Sequence, residues 1–184
     1  IYTDIYNDSV WLTNLVENLL SVTRLEDGNM KLNKSAELID EIIAEALNHI
    51  NKRSVEHRIT VCESDDIMLV DVDARLIVQV IINIVDNAIK YTPNGSEITI
   101  STERKDDMIS VSIADNGNGI ADNLKDKVFD MFYTGANKIA DSRRSLGLGL
   151  SLCKTIISAH GGEITVSDNT PHGAVFTFTL PVKE

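Results

Sequence analysis

The stretch Gln79-Val-Ile-Ile-Asn-Ile-Val-Asp-Asn-Ala-Ile-Lys-Tyr-Thr-Pro-Asn-Gly95 decides how the chain is read. It reads as a helix that is apolar nearly all the way round, from Leu76 to Ile89. Yet Gln79, Asn83, Asn87 and Lys90 recur at spacings of four, four and three, which sets them along one line of a helix. Leaving an amide buried without a partner costs about 1–3 kcal/mol. A helix that keeps such a stripe needs partners for it. A bound ligand is one reading, and a buried amide network between helix and sheet is the other. Thr92-Pro93-Asn94-Gly95 ends the helix, and Asp73 stands where it can cap the start.

Outward from this helix the pattern is that of one α/β unit. A short extended piece at Lys31-Leu-Asn-Lys34 precedes a helix with Leu38, Ile42, Ile43, Ala46, Leu47 and Ile50 on one face. His57–Cys62 and Ile67–Asp71 read as strands. The period-two runs from Ile98 and Ile109 read as a hairpin joined by Lys105-Asp106-Asp107. Residues 122–132 look helical, 133–146 have no period and read as a mobile loop, and a helix follows over 147–159. Ile164–Ser167 and Val175–Leu180 close the sheet. The expected fold class is α/β (α+β), a two-layer sandwich with helices on one face of a mixed sheet. A single bundle-type helix precedes it, with Ile5, Leu12, Leu15, Val16, Leu19 and Val22 as its stripe, ending at Gly28.

Composition narrows the function. The 184 residues carry a net charge of −11, which argues against nucleic acid as a partner, because such binding rests on Lys and Arg facing phosphates. Cys62 and Cys153 form neither a disulfide framework nor a zinc motif, so a reducing, cytoplasmic setting is expected. No apolar run approaches the roughly 20 residues of a membrane span. The chain opens inside a helical pattern, so a longer parent is expected.

Three more stretches carry chemistry. Asp115-Asn-Gly-Asn-Gly-Ile120 follows a strand, and its glycines let a flat ligand approach while the carboxylate accepts a hydrogen bond from an amino group. Ser145-Leu-Gly-Leu-Gly-Leu150 opens a helix, where free N–H groups suit an anion. Arg143 and Arg144 precede it on the loop. Taken singly, an Asx turn, a glycine hinge and a solvated loop explain each as well. No Gly-Lys-Ser/Thr follows the second stretch, so it is not a Walker loop.

In this order the motifs resemble the ATP-binding domain of sensor histidine kinases, within the wider group that includes Hsp90, DNA gyrase and MutL. The resemblance covers about residues 30–184. Asn83–Tyr91 is similar to the family's N box, with Asn87 as the Mg²⁺-binding amide. Asn83 would then face the metal or the phosphates, Lys90 would add charge there, and Tyr91 would lie against the base. Asp115, Gly117, Gly119 and Ile120 resemble the first glycine box, and Phe129-Asp-Met-Phe132 the F box. Gly147, Leu148, Gly149 and Leu150 resemble the second, with Arg143 and Arg144 as phosphate clamps. His160-Gly-Gly162 and the run from Gly173 to Pro181 are also family-like. Ser145 stands where many members have Gly, and Ala174 where many have Thr.

The resemblance implies ATP and Mg²⁺ as ligands. It implies transfer of the γ-phosphoryl group to a histidine on another domain of the same protein, for relay to a response-regulator aspartate. Residues 1–28 resemble the second helix of a dimerisation and phosphotransfer domain, with the catalytic domain over 29–184. The run Asn18–Gly28 is similar to the potassium-responsive KdpD branch. A homodimeric, membrane-bound sensor is implied for the parent, and a monomer or weak dimer for this chain alone. None of His49, His57, His160 and His172 sits in a phosphoacceptor segment, and exposed helix-end or loop positions are expected for all four. An ATPase of the Hsp90, gyrase or MutL kind is the competing reading, as is a binding module without activity. Those ATPases place a Glu four residues before the metal-binding Asn. Here Asn83 stands there, and an amide is no base for water.

Overall fold

The structure is a computed structural model that describes Thr13, Val16, Leu20, Thr23 and residues 31–50, 56–62, 64, 66–133 and 147–183. Ile5, Leu12, Leu15, Leu19 and Val22 of the N-terminal stripe lie outside these residues. So do Arg143, Arg144, Ser145 and all of the expected loop except Tyr133. Thr13, Val16, Leu20 and Thr23 are helical, and Val16 and Leu20 are about half exposed.

Five strands form a mixed sheet: β2 (Arg58–Val61), β4 (Glu97–Lys105), β5 (Met108–Asp115), β7 (Ala174–Pro181) and β6 (Ile164–Asp168), in that spatial order. β2 runs parallel to β4 and the other pairs are antiparallel. Alternation sets the faces. Ile98, Ile100, Ile109, Val111, Ile113, Phe176, Phe178 and Leu180 point into the core. The opposite face carries hydroxyls, and Ser112 and Thr177 bond across it at 2.9 Å. Helices α1 (Ile39–Ile50), α2 (Ala74–Tyr91) and α4 (Gly149–Ala159) cover the apolar face. Thus the expected two-layer fold stands, and the 105–107 turn joins β4 to β5 with Asp106 at φ 54°.

Several elements depart from expectation. Strand β1 (Ser35–Leu38) lies four residues later than the extended piece read from sequence, and it pairs with β3 (Leu69–Val72) as a separate two-stranded sheet. A single bridge, Val70 to Val182, ties that sheet to the end of β7. Leu38 therefore closes a strand, and the helix begins at fully buried Ile39. The helix expected over 122–132 shrinks to α3 (Asp122–Lys125) and a 3₁₀ turn at Lys127–Phe129. Phe129 is its one buried apolar anchor, edge-on to Phe176 at 6.2 Å, too little to hold a longer helix in place.

Asp73 does occupy the N-cap of α2, but its side chain does not cap it. The carboxylate accepts instead from the Asn33 N–H at 3.1 Å and lies 3.6 Å from Arg75. His160, expected to be exposed, is buried. Its Nδ1–H donates to Ile156 O at 2.8 Å, and Nε2 accepts from the Asp73 N–H at 3.0 Å. That ring joins the end of α4 to the start of α2, and burial holds its pKa below the ordinary histidine value.

Candidate functional site

The site gathers at one end of α2. The amides of its stripe fall into two groups. Gln79 Nε2 donates to Asn83 Oδ1 at 3.1 Å, and Asn83 Nδ2 reaches Gly149 O at 3.4 Å. Asn83 thus lies against the first residue of α4, with one end of its amide on Gln79 and the other on Gly149. Asn87 differs. Half-buried one turn later, its amide takes no hydrogen bond from any described residue. Beyond it, Lys90 and Tyr91 are exposed, with Lys90 Nζ 5.2 Å from the Tyr91 ring centre.

The end of α2 is braced. Thr92 Oγ1 donates to Ala88 O at 2.7 Å, which satisfies one terminal carbonyl. Its proton is then committed, so His57 donates to it through Nε2 at 3.0 Å.

Asp115 ends β5 with its side chain in the core layer, 8% exposed. Its Oδ1 accepts from the Gly117 N–H at 2.9 Å and the Ala174 N–H at 3.2 Å. The expected Asx turn is therefore present. It also fixes the carboxylate with Oδ2 left without a partner among the described residues. Ile120 then packs partly against the core. Below it, Lys125 Nζ donates to Asp122 at 2.6 Å and Asp168 at 2.7 Å, fastening α3 to the end of β6. These bonds raise the lysine's pKa and lower that of Asp122.

Gly147 and Leu148 lead into α4. Leu148 is buried and makes no side-chain cap, so the first turn keeps its N–H groups for another partner. Gly147 sits at φ 64°, and a Cβ there would strike the backbone of Phe132 and Tyr133. Phe132 N–H donates to Gly147 O at 3.1 Å, so the two ends of the segment 134–146 are joined. Phe132 itself holds φ 63°, which costs about 1–2 kcal/mol for a residue with a Cβ. Gly149 and partly buried Leu150 begin the helix, and Ser151 Oγ returns to Leu148 O at 3.0 Å. Behind them Cys153 is fully buried, its thiol pushed up to about 12 by burial, so it is no nucleophile.

The structure thus brings Asn87, Asp115, Gly117 and the start of α4 to the same end of the fold. Two residues were missed by sequence reasoning. Asn169 and His172, in the turn between β6 and β7, bond to the backbone of the Asp115 loop. Nothing periodic marks them, because their partners are carbonyls more than fifty positions away. No group of three metal-ligating His, Cys, Asp or Glu exists among the described residues. No helix among them is long and apolar enough to cross a membrane.

The sequence profile described as histidine kinase-, DNA gyrase B-, and HSP90-like ATPase matches residues 72–184. The sensor protein KdpD of Clostridium acetobutylicum is 44% identical over 177 residues, which is 96% of this chain and 20% of that protein. The chain thus spans about a fifth of that curated relative. Among solved structures, Acinetobacter baumannii histidine kinase AdeS superposes with a TM-score of 0.81 at 26% identity, over 100% of this chain and 84% of that one. Histidine kinase ThkA, solved in complex with response regulator protein TrrA, gives a TM-score of 0.70 at 29% identity, over 93% and 49% of the two chains.

Proposed function

The chain belongs to the histidine kinase-, DNA gyrase B- and HSP90-like ATPase family as its sensor-kinase ATP-binding domain, and on that premise we propose that it transfers the γ-phosphoryl group of ATP to a histidine. One observation carries the reading. Of the two side chains that the motifs nominate for ligand, Asp115 is held through Oδ1 with Oδ2 left without a partner, and the Asn87 amide has no partner, among the described residues. A carboxylate oxygen and an amide of that kind can serve a ligand's donor or cation.

In this reading Asp115 Oδ2 accepts from the exocyclic amino group of adenine, and Tyr91 and Ile120 lie against the base. The open N–H groups from Gly147 to Leu150 face the phosphates. Lys90, Arg143 and Arg144 add positive charge there. Asn83, one turn before Asn87 and against the first residue of α4, faces the metal or the phosphates. Asn87 offers an amide oxygen, a donor suited to Mg²⁺, and the ion when bound supplies charge neutralisation on the phosphates. Catalysis is then placement and charge balance. The acceptor imidazole is itself the nucleophile. It belongs to a partner domain, and an aspartate of a response regulator takes the phosphoryl group in turn. Residues 1–28 belong to the dimerisation and phosphotransfer domain of a homodimeric, cytoplasm-facing sensor. Hydrolysis is the poorer reading, because Asn83 is no base and its amide is already engaged.

Titration with an ATP analogue with and without Mg²⁺, followed by radiolabelled ATP plus a separate phosphoacceptor domain, tests the reading. Mg²⁺-dependent binding and acid-labile label on the acceptor are expected. Binding without any transfer would leave a nucleotide-sensing module, and rapid phosphate release would favour an ATPase.

A further inference from the structure

The loop between β6 and β7, residues 169–173, grips the Asp115 loop more closely than sheet pairing requires. The β5–β7 ladder stops at Ala114–Val175. Past that point the carbonyls of Asp115 and Gly117 have no strand partner. Side chains from this loop take them instead. Asn169 Nδ2 donates to Asp115 O at 2.8 Å, and His172 Nδ1 donates to Gly117 O at 3.1 Å. The Asn169 side-chain amide is itself oriented, since its Oδ1 accepts from the Thr170 N–H at 2.9 Å, and the backbone N–H of Asn169 donates to Gly173 O at 3.0 Å. Gly173, at φ 116°, brings the two backbones together, and a Cβ there would run into the Asp115 carbonyl. Ala174 N–H, the next donor, holds Asp115 Oδ1.

We propose that Asn169 and His172 are positioning residues that set the base selectivity of the nucleotide pocket, by fixing where Asp115 Oδ2 points. The inference rests on Asp115 as the base acceptor. A fixed carboxylate oxygen welcomes a 6-amino group and rejects a 6-carbonyl, because an acceptor would then face an acceptor with no proton between them. A carboxylate free to shift loses that contrast. The phosphate side of the pocket is held by other elements, so loosening this loop lowers discrimination more than total affinity. His172 lines an open cleft of about 510 Å³ with Pro93, Asn94, Asn116 and Asn118, and its side chain is exposed. Substitutions at His172 therefore leave the core untouched.

The test measures affinities for ATP and for inosine triphosphate, which carries a 6-carbonyl, on the full chain with Mg²⁺. Asn169→Asp keeps the bond to Thr170 but turns an oxygen toward Asp115 O. It should reduce the ATP-to-inosine-triphosphate ratio about tenfold, the scale of one good hydrogen bond. His172→Ala should reduce the ratio by roughly threefold to tenfold. His172→Asn, whose Nδ2 can stand where Nδ1 stood, should restore it, and His172→Gln should not. Melting curves accompany each variant. A ratio that stays at the parental value, or equal losses for both nucleotides, overturns the proposal. Asp115→Asn separates the two levels of argument. If it collapses the ratio while Asn169 and His172 variants do not, the pocket assignment stands and the positioning role falls. If it leaves the ratio intact, Asp115 is not the base acceptor and the positioning role falls with it.

Discussion

At Asp115 the two carboxylate oxygens do different work, and a single substitution separates them. Oδ1 is committed to Gly117 and Ala174. Asp115→Asn can keep that oxygen and replace Oδ2 with an NH₂ group, so the turn survives while a donor faces the adenine amino group. ATP affinity should fall about tenfold to a hundredfold, as expected for a lost hydrogen bond to a charged group. Calorimetry checks this, and an unchanged affinity would remove Asp115 from the base pocket. Asn87→Ala should weaken Mg²⁺-dependent binding far more than metal-free binding, because its amide makes no bond to a described residue that the fold would miss. Equal losses under both conditions would mark a folding defect. Both residues were legible in sequence, one from the helical stripe and one from its place after a strand. The division of labour within the stripe was not. Spacing aligns Gln79, Asn83 and Asn87 identically, and only the approach of Gly149 to Asn83 decides which amide is already taken.

At the level of elements, period gave the long pieces and failed on the short ones. α2, β4, β5 and β7 each run eight residues or more, long enough for burial alternation to show. α3 and the 3₁₀ turn do not, and their position is set by Lys125 and Phe129 reaching other elements. The α2–α4 junction illustrates the same blindness, since His160 reads as a helix-end residue and turns out to be a buried strut. Its Nε2 must stay unprotonated to accept from the Asp73 N–H. Burial is the main cause of its lowered pKa, the hydrogen bond to Ile156 O opposes it, Lys34 lowers it further, and Asp73 and Asp71 also oppose the shift. As pH falls below the unfolded value of about 6.5, the unfolded chain takes up the proton first. Stability from this group is therefore fully present above that pH and is lost down to the lower folded pKa. The slope approaches at most about 1.4 kcal/mol per pH unit. Urea midpoints between pH 8 and 5 should decline in the parent. They should flatten over that window in His160→Gln, whose Oε1 can accept from Asp73 without titrating. Parallel curves would assign the decline to other groups.

For the whole molecule, what matters is that a nucleotide site and a phosphoacceptor are separable. The four histidines illustrate why. His160 spends both ring nitrogens inside the core, His57 is engaged with Thr92, and His172 with Gly117. His49 is exposed near the end of α1, without the acidic and basic neighbours of an acceptor segment. None is presented as an acceptor. Nor is Asn83 a base for water, because it is an amide tied to α4. The chain should accordingly bind ATP, release phosphate slowly and remain unlabelled on histidine when incubated with radiolabelled ATP. Adding a domain that carries the acceptor helix should yield acid-labile label on that domain. The same addition should strengthen self-association, because Val16 and Leu20, about half exposed on one helical face, would gain a partner. Sedimentation with and without the added domain measures the second effect, and acid lability of the label measures the first. Robust acid-labile phosphate on this chain alone would mean that one of these four rings is presented after all. Asn substitutions at each of the four would then identify which.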